Sequence, residues 1–160
     1  MTTIYLASAA QTNADRKRGP PVGHRLTIMH SPNTERGETG LGRVPVLTPT
    51  DAEWYDLGRP LIEARRHKRP LDPADVAAYR GALETRWAAA DLSPGVLLAH
   101  AYTGQREPVP DGAVLMCACS RAHAAAGECH RVWAAPFLVR AGWTVILDGA
   151  LVPVAGEGRA

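Results

Sequence analysis

Apolar residues along this chain fall into short runs near its two ends and into one helical stripe in its middle. The run TIYLAS, Thr3 to Ser8, ends in small and polar residues and predicts a buried first strand. RLTIMH, Arg25 to His30, predicts a second strand, with QTNADRKRGPPVG before it and SPNTERGETGLG after it as loops. RVPVLTP is interrupted by Pro45 and Pro49, so it reads as an edge strand or an extended connection. TDAEWYDLGRPLIEARRHKRP reads as two short helical pieces divided at Gly58 and Pro60 and closed by Pro70. A longer helix starts at Asp72, a favoured N-cap, with Pro73 at the first helical position; Val76, Tyr79, Leu83 and Trp87 then share one face. VLLAHAY fits strand and helix equally by period, and TGQREPVPDG after it reads as a loop. AVLMCAC is a continuous apolar run of the kind buried on both faces of a parallel sheet. HRVWAAPFLVRAG predicts a helix kinked at Pro136 and ended at Gly142, and WTVILDG a final strand.

Strand, loop, helix and strand at the C-terminal end make a βαβ unit. The expectation is therefore α/β: a single three-layer domain over residues 1–150 with a mostly parallel sheet, and a partly ordered tail over 151–160. Composition changes this picture little. With 46% apolar and 21% charged residues among 160, the chain has an ordinary globular make-up. A net charge of +2 does not by itself argue for nucleic acid. No apolar leader follows Met1, and no apolar run approaches the ~20 residues of a membrane span, so the expected setting is cytoplasmic, with reduced thiols and no membrane partner.

Candidate chemistry concentrates in LMCACSRAHAAAGECHR, Leu115 to Arg131, which holds all three cysteines. In a parallel sheet, ligands gather at the carboxyl ends of strands, and this stretch occupies such an end. Cys117 and Cys119, two apart, face one side; Cys129, His130 and Arg131 stand where the next helix begins. Three readings follow. Cys117, Cys119, Cys129 and His130 are a donor set for zinc or iron, although C-x-C-x9-C-H is not a standard zinc spacing. Arg131 and the helix start would make an anion pocket, with Cys117 or Cys129 as a reactive thiol and His130 as proton carrier. Or the cysteines are small buried hydrophobes, and His130 and Arg131 merely shield a helix end.

The same block resembles the C-terminal signature of the family catalogued as domain of unknown function 488: a strand ending in cysteine, a variable loop, Cys-His-Arg, an apolar helix, Gly and a short strand. The IYLAS, TIMHSP and VPVLTPTDAEWYDL segments agree in order. Two departures stand out, an inter-cysteine loop enlarged by HAAAG and the additional thiol Cys119. That resemblance implies a fold and a site rather than a reaction.

Outside the block, Arg16 to Arg18 could line the same edge, Arg16 and Arg18 serving as further ligand cations, or be solvated. ARRHKR, Ala64 to Arg69, near Trp54 and Tyr55, could follow a nucleic-acid backbone, or place cations at a helix C-terminus. Asp148 ends the last strand as a candidate ligand contact or begins a turn with Gly149. GETGLG lacks the spacing of a nucleotide fingerprint. The leading expectation is an enzyme that binds an anionic ligand related to nucleotides or nucleic acid at the Cys/His/Arg crevice. The alternatives are a non-catalytic nucleic-acid-binding module and a Cys/His metal-binding protein.

Overall fold

Alternation in TIYLAS turns Ile4, Leu6 and Ser8 to one side of the first strand, where all three are buried. A computed structural model describes residues 1–8, 25–30, 42–101, 103–119 and 121–154. Its centre is a sheet of eight strands: β1 (Thr3–Ser8), β2 (Arg25–Thr27), β3 (Gly42–Arg43), β4 (Leu98–His100), β5 (Arg106–Pro108), β6 (Ala113–Cys117), β7 (Thr144–Leu147) and β8 (Ala150–Leu151). They lie in the order β5-β4-β3-β2-β6-β1-β7-β8. The five from β3 to β7 are parallel, and β5, β4 and β8 add antiparallel margins. The expected α/β class with a mostly parallel sheet is what the chain forms.

Every residue of β6 is buried, as its unbroken apolar run requires of a central strand. The C-terminal βαβ unit is present, but its two strands are not neighbours: β1 lies between β6 and β7 and pairs with both. VLLAHAY resolves as β4, and the segment read as a loop after it contains β5, whose residues are all exposed and whose Pro108 is tolerated at the sheet margin. β8 likewise continues the sheet into the expected tail. RVPVLTP contributes only Arg43 to the two-residue β3 before the chain turns at Val44, whose carbonyl accepts from the Leu47 and Thr48 N–H groups.

Among the described residues the α-helices are α1 (Arg59–Arg66), α2 (Pro73–Ala89), α3 (Arg121–Ala125) and α4 (His130–Arg140). Each contributes to one large core on a single face of the sheet, with Leu61, Leu83, Trp87, Ala124 and Leu138 packing with Ile4, Leu6, Leu115 and Val145. The opposite face carries a separate small cluster of Met29, Val114 and Met116. Asp72 caps α2 as expected, accepting the Ala74 N–H at 2.8 Å, and Tyr79, Leu83 and Trp87 are its buried stripe.

Gly58 and Pro60 do not divide the preceding helical segment. A π-helical turn, Glu53–Gly58, runs directly into α1; the Arg59 N–H reaches back to the Trp54 carbonyl, and Pro60 falls in the first turn of α1, where its missing N–H costs little. Glycine is required at 58 by space: a Cβ there would stand 2.8 Å from Tyr79 Cζ and 3.1 Å from the Trp54 ring. Gly58→Ala is expected to destabilise the fold by about 1–3 kcal/mol, a typical overpacking cost, seen as a lowered melting temperature. An unchanged melting temperature would show that the Tyr79 ring yields freely.

Candidate functional site

Connections leave β2 and β6 in opposite directions, toward β3 on one side and across β1 to β7 on the other. Their carboxyl ends thus form a switch point, the place where open parallel sheets hold ligands. Cys117 ends β6 there, and Cys129 is the N-cap of α4, with His130 and Arg131 in its first turn. Successive residues at a helix start project roughly 100° apart, so three adjacent side chains reach three different places.

Cys129 turns to the end of β6, where its Sγ lies 3.5 Å from Cys117 Sγ. His130 reaches across to β2. Its Nε2 is 2.9 Å from the Ile28 carbonyl and its Nδ1 is 3.5 Å from Cys117 Sγ. A carbonyl only accepts, so Nε2 carries the proton and Nδ1 presents its lone pair to the sulfurs. Burial lowers the His130 pKa and favours this neutral form. Arg131, wholly buried, runs toward β7. Its Nη2 donates to both carboxylate oxygens of Asp148 at 3.2 and 3.0 Å, and its Nη1 donates to the Cys119 carbonyl at 2.8 Å and to Cys129 Sγ at 3.4 Å. Asp148 and Gly149, both at positive φ, form the two-residue turn between β7 and β8, a conformation Asp-Gly suits.

Cys119 is partly exposed, whereas Cys117 and Cys129 are buried. Arg65 at the end of α1 donates to Cys119 Sγ at 3.7 Å and to the Glu128 carbonyl at 2.6 Å. Of the three thiols, Cys119 is the one whose pKa is drawn down. The Cys117 and Cys129 thiols hold its pKa down, with Arg65 adding to the effect and the His130 imidazolium doing so when protonated, against the opposing effect of burial. Cys117 is pushed up by its neighbours Cys119 and Cys129 and by burial. Cys117 pulls the Cys129 pKa down, but Cys119 and burial carry it upward. Burial also raises the Tyr79 phenol, and the neighbouring sulfur charges add to the shift.

The structure thus brings together Cys117, Cys119, Cys129, His130, Arg131 and Asp148. Among the described residues, Cys117, Cys129 and His130 form a group that could hold a metal ion: their ligand atoms lie within 4.8 Å of one another, and all three residues are buried. The adjacency of Cys129 and His130 is no obstacle, because the turn from N-cap into helix aims both at Cys117. Arg131 and Asp148, expected to meet a ligand, meet each other. Arg16 and Arg18 lie outside the described residues. Trp54 and Tyr55, expected near a nucleic-acid path, pack on His30 at the end of β2; the Trp54 ring stacks on the imidazole at 5.2 Å. Sequence reasoning did not find the approach of Arg65 to Cys119, a contact across 54 positions, and the only local signal was the basic run itself.

Two outcomes are expected. Asp148→Asn, which keeps a residue tolerant of positive φ but removes the charge, should cost about 3–5 kcal/mol in a chemical denaturation curve by leaving a buried guanidinium uncompensated; a loss below 1 kcal/mol would mean that Arg131 is charge-balanced elsewhere. Iodoacetamide near neutral pH should alkylate the partly exposed Cys119, beside the Arg65 guanidinium, before the buried Cys117 and Cys129, as peptide mapping over time would record, and earlier labelling of either buried thiol would contradict that order of access.

Compared with known proteins, the chain matches no family model, no curated protein and no solved structure.

Proposed function

We propose that this protein binds a thiophilic divalent ion, zinc or iron, through Cys117, Cys129 and His130, with Cys119 as the fourth donor. The observation that carries this reading is spacing. Tetrahedral zinc at the usual zinc–sulfur distance separates two sulfur ligands by roughly 3.8 Å, and Cys117 and Cys129 already stand 3.5 Å apart with His130 Nδ1 3.5 Å from the first. Two features support it. The Ile28 carbonyl fixes the imidazole with its lone pair inward, the outer-shell arrangement typical of metal-bound histidine. Arg65 and Arg131 donate to Cys119 and Cys129, which offsets the charge excess of three thiolates on a divalent ion. Membership of the domain of unknown function 488 family is part of the same proposal, resting on the strand-Cys and Cys-His-Arg block.

A second reading is favoured by the Cys117–His130 contact: a thiol enzyme acting on an anionic ligand, nucleotide-related in its nearest form, with His130 as proton carrier and Cys117 or Cys129 as nucleophile. Elemental analysis separates the two. Protein produced with zinc or iron supplied should carry about one ion per chain, and Cys117→Ser, Cys129→Ser and His130→Ala should each weaken retention against a chelator by more than ~10-fold. Absence of stoichiometric metal from folded protein would end the metal reading and leave the thiol reading standing.

A further inference from the structure

The run Arg65 to Arg69 is absorbed neither by the metal reading nor by the core. Arg65 turns inward, whereas Arg66, His67, Lys68 and Arg69 are exposed. The end of α1 is closed by the Arg69 N–H on the Ala64 carbonyl at 2.8 Å and the Lys68 N–H on the Arg65 carbonyl at 3.0 Å. Lys68 takes the left-handed position of this closure, φ 53°, which glycine or asparagine ordinarily fills. A lysine stands there at a conformational cost that glycine would not carry.

Lys68 and its neighbours border a cleft. Arg65, Lys68, Arg69 and His123 line an open cleft of about 410 Å³ between the end of α1 and the α3 segment, with Glu128 as its one acidic wall. The Glu128 carboxylate already faces Arg65 at 3.5 Å, and Lys68 and Arg69 make no ion pair among the described residues. Arg65 is shared between the cleft and the sulfurs, since the same guanidinium lies 3.7 Å from Cys119 Sγ.

The geometry points to this cleft as the binding site for the phosphate of a phosphorylated small molecule, held by Lys68, Arg69 and His123 with its remainder directed over Arg65 toward Cys119. The volume falls in the range of small-molecule sites. Lysine supplies a point charge and arginine a planar fork, the pairing that phosphate recognition uses. A small molecule is favoured over nucleic acid because the cations converge on one cavity, while Trp54, the aromatic expected to stack a base, is engaged by His30. The cleft places the anion site on α1 and α3, away from the buried Arg131, and it stands whether or not the thiols hold an ion.

The test is calorimetric titration of the full chain with inorganic phosphate, beside the variant K68G/R69A, which relieves the left-handed position and removes two exposed cations. Saturable one-site binding that weakens at least about tenfold in the variant, with melting temperature not lowered and metal content unchanged, is the expected result. No saturable phosphate binding by the parent protein, or equal affinity in the variant, overturns the proposal. So does a single-stranded oligonucleotide that binds tighter than phosphate with a steep salt dependence, which would make the surface a nucleic-acid track. Metal content measured on the same samples keeps the outcomes apart: loss of the ion with phosphate binding intact counts against the metal reading alone.

Discussion

A guanidinium taken wholly out of water must be compensated in place, and Arg131 is compensated by the chain around it. Asp148 meets it through two oxygens, the Cys119 carbonyl takes a third bond and the Cys129 sulfur a fourth. Those partners belong to the β7–β8 turn, the segment after β6 and the start of α4. One buried charge therefore fixes how three otherwise separate pieces meet. Cys129 and His130 are carried on the same helix turn, so the geometry of the sulfur and imidazole group follows from where Arg131 is anchored.

That constraint also explains why the site is polar at its heart yet packed like a core. Cys117 and Cys129 belong to the main apolar cluster, alongside Ala124, Trp133 and Leu138. His130 satisfies one nitrogen on a backbone carbonyl and turns the other toward sulfur. Among the described residues, Cys119 is the partly exposed member of the group, and Arg65 stands beside it, joining the sulfurs to the cationic cleft.

Much of this was legible in the residues. The unbroken run AVLMCAC specified a strand buried on both faces, Asp72-Pro73 specified a helix start, and both are present. The block from Cys117 to Arg131 was recognisable as the place where a strand hands over to a helix. Less legible were pieces whose conformation depends on neighbours. Gly58 and Pro60 have breaker chemistry, yet a π-helical turn and contact with Tyr79 keep the helical path continuous. REP and AL are too short and exposed to show a strand period, and they are strands because β4 and β7 offer edges to pair with.

The sequence by itself determined the α/β class, the central strand and the co-location of Cys117, Cys129 and His130, because apolar periodicity and capping chemistry act over a few residues. Only the tertiary structure decided the role of Arg131 and Asp148, which could each have faced a ligand and instead face each other across 17 positions. It also decided the tautomer of His130, through the carbonyl of Ile28, and the partner of Cys119, through Arg65. Hydrogen bonds and ion pairs between distant segments depend on distances that folding sets, and no local pattern encodes them.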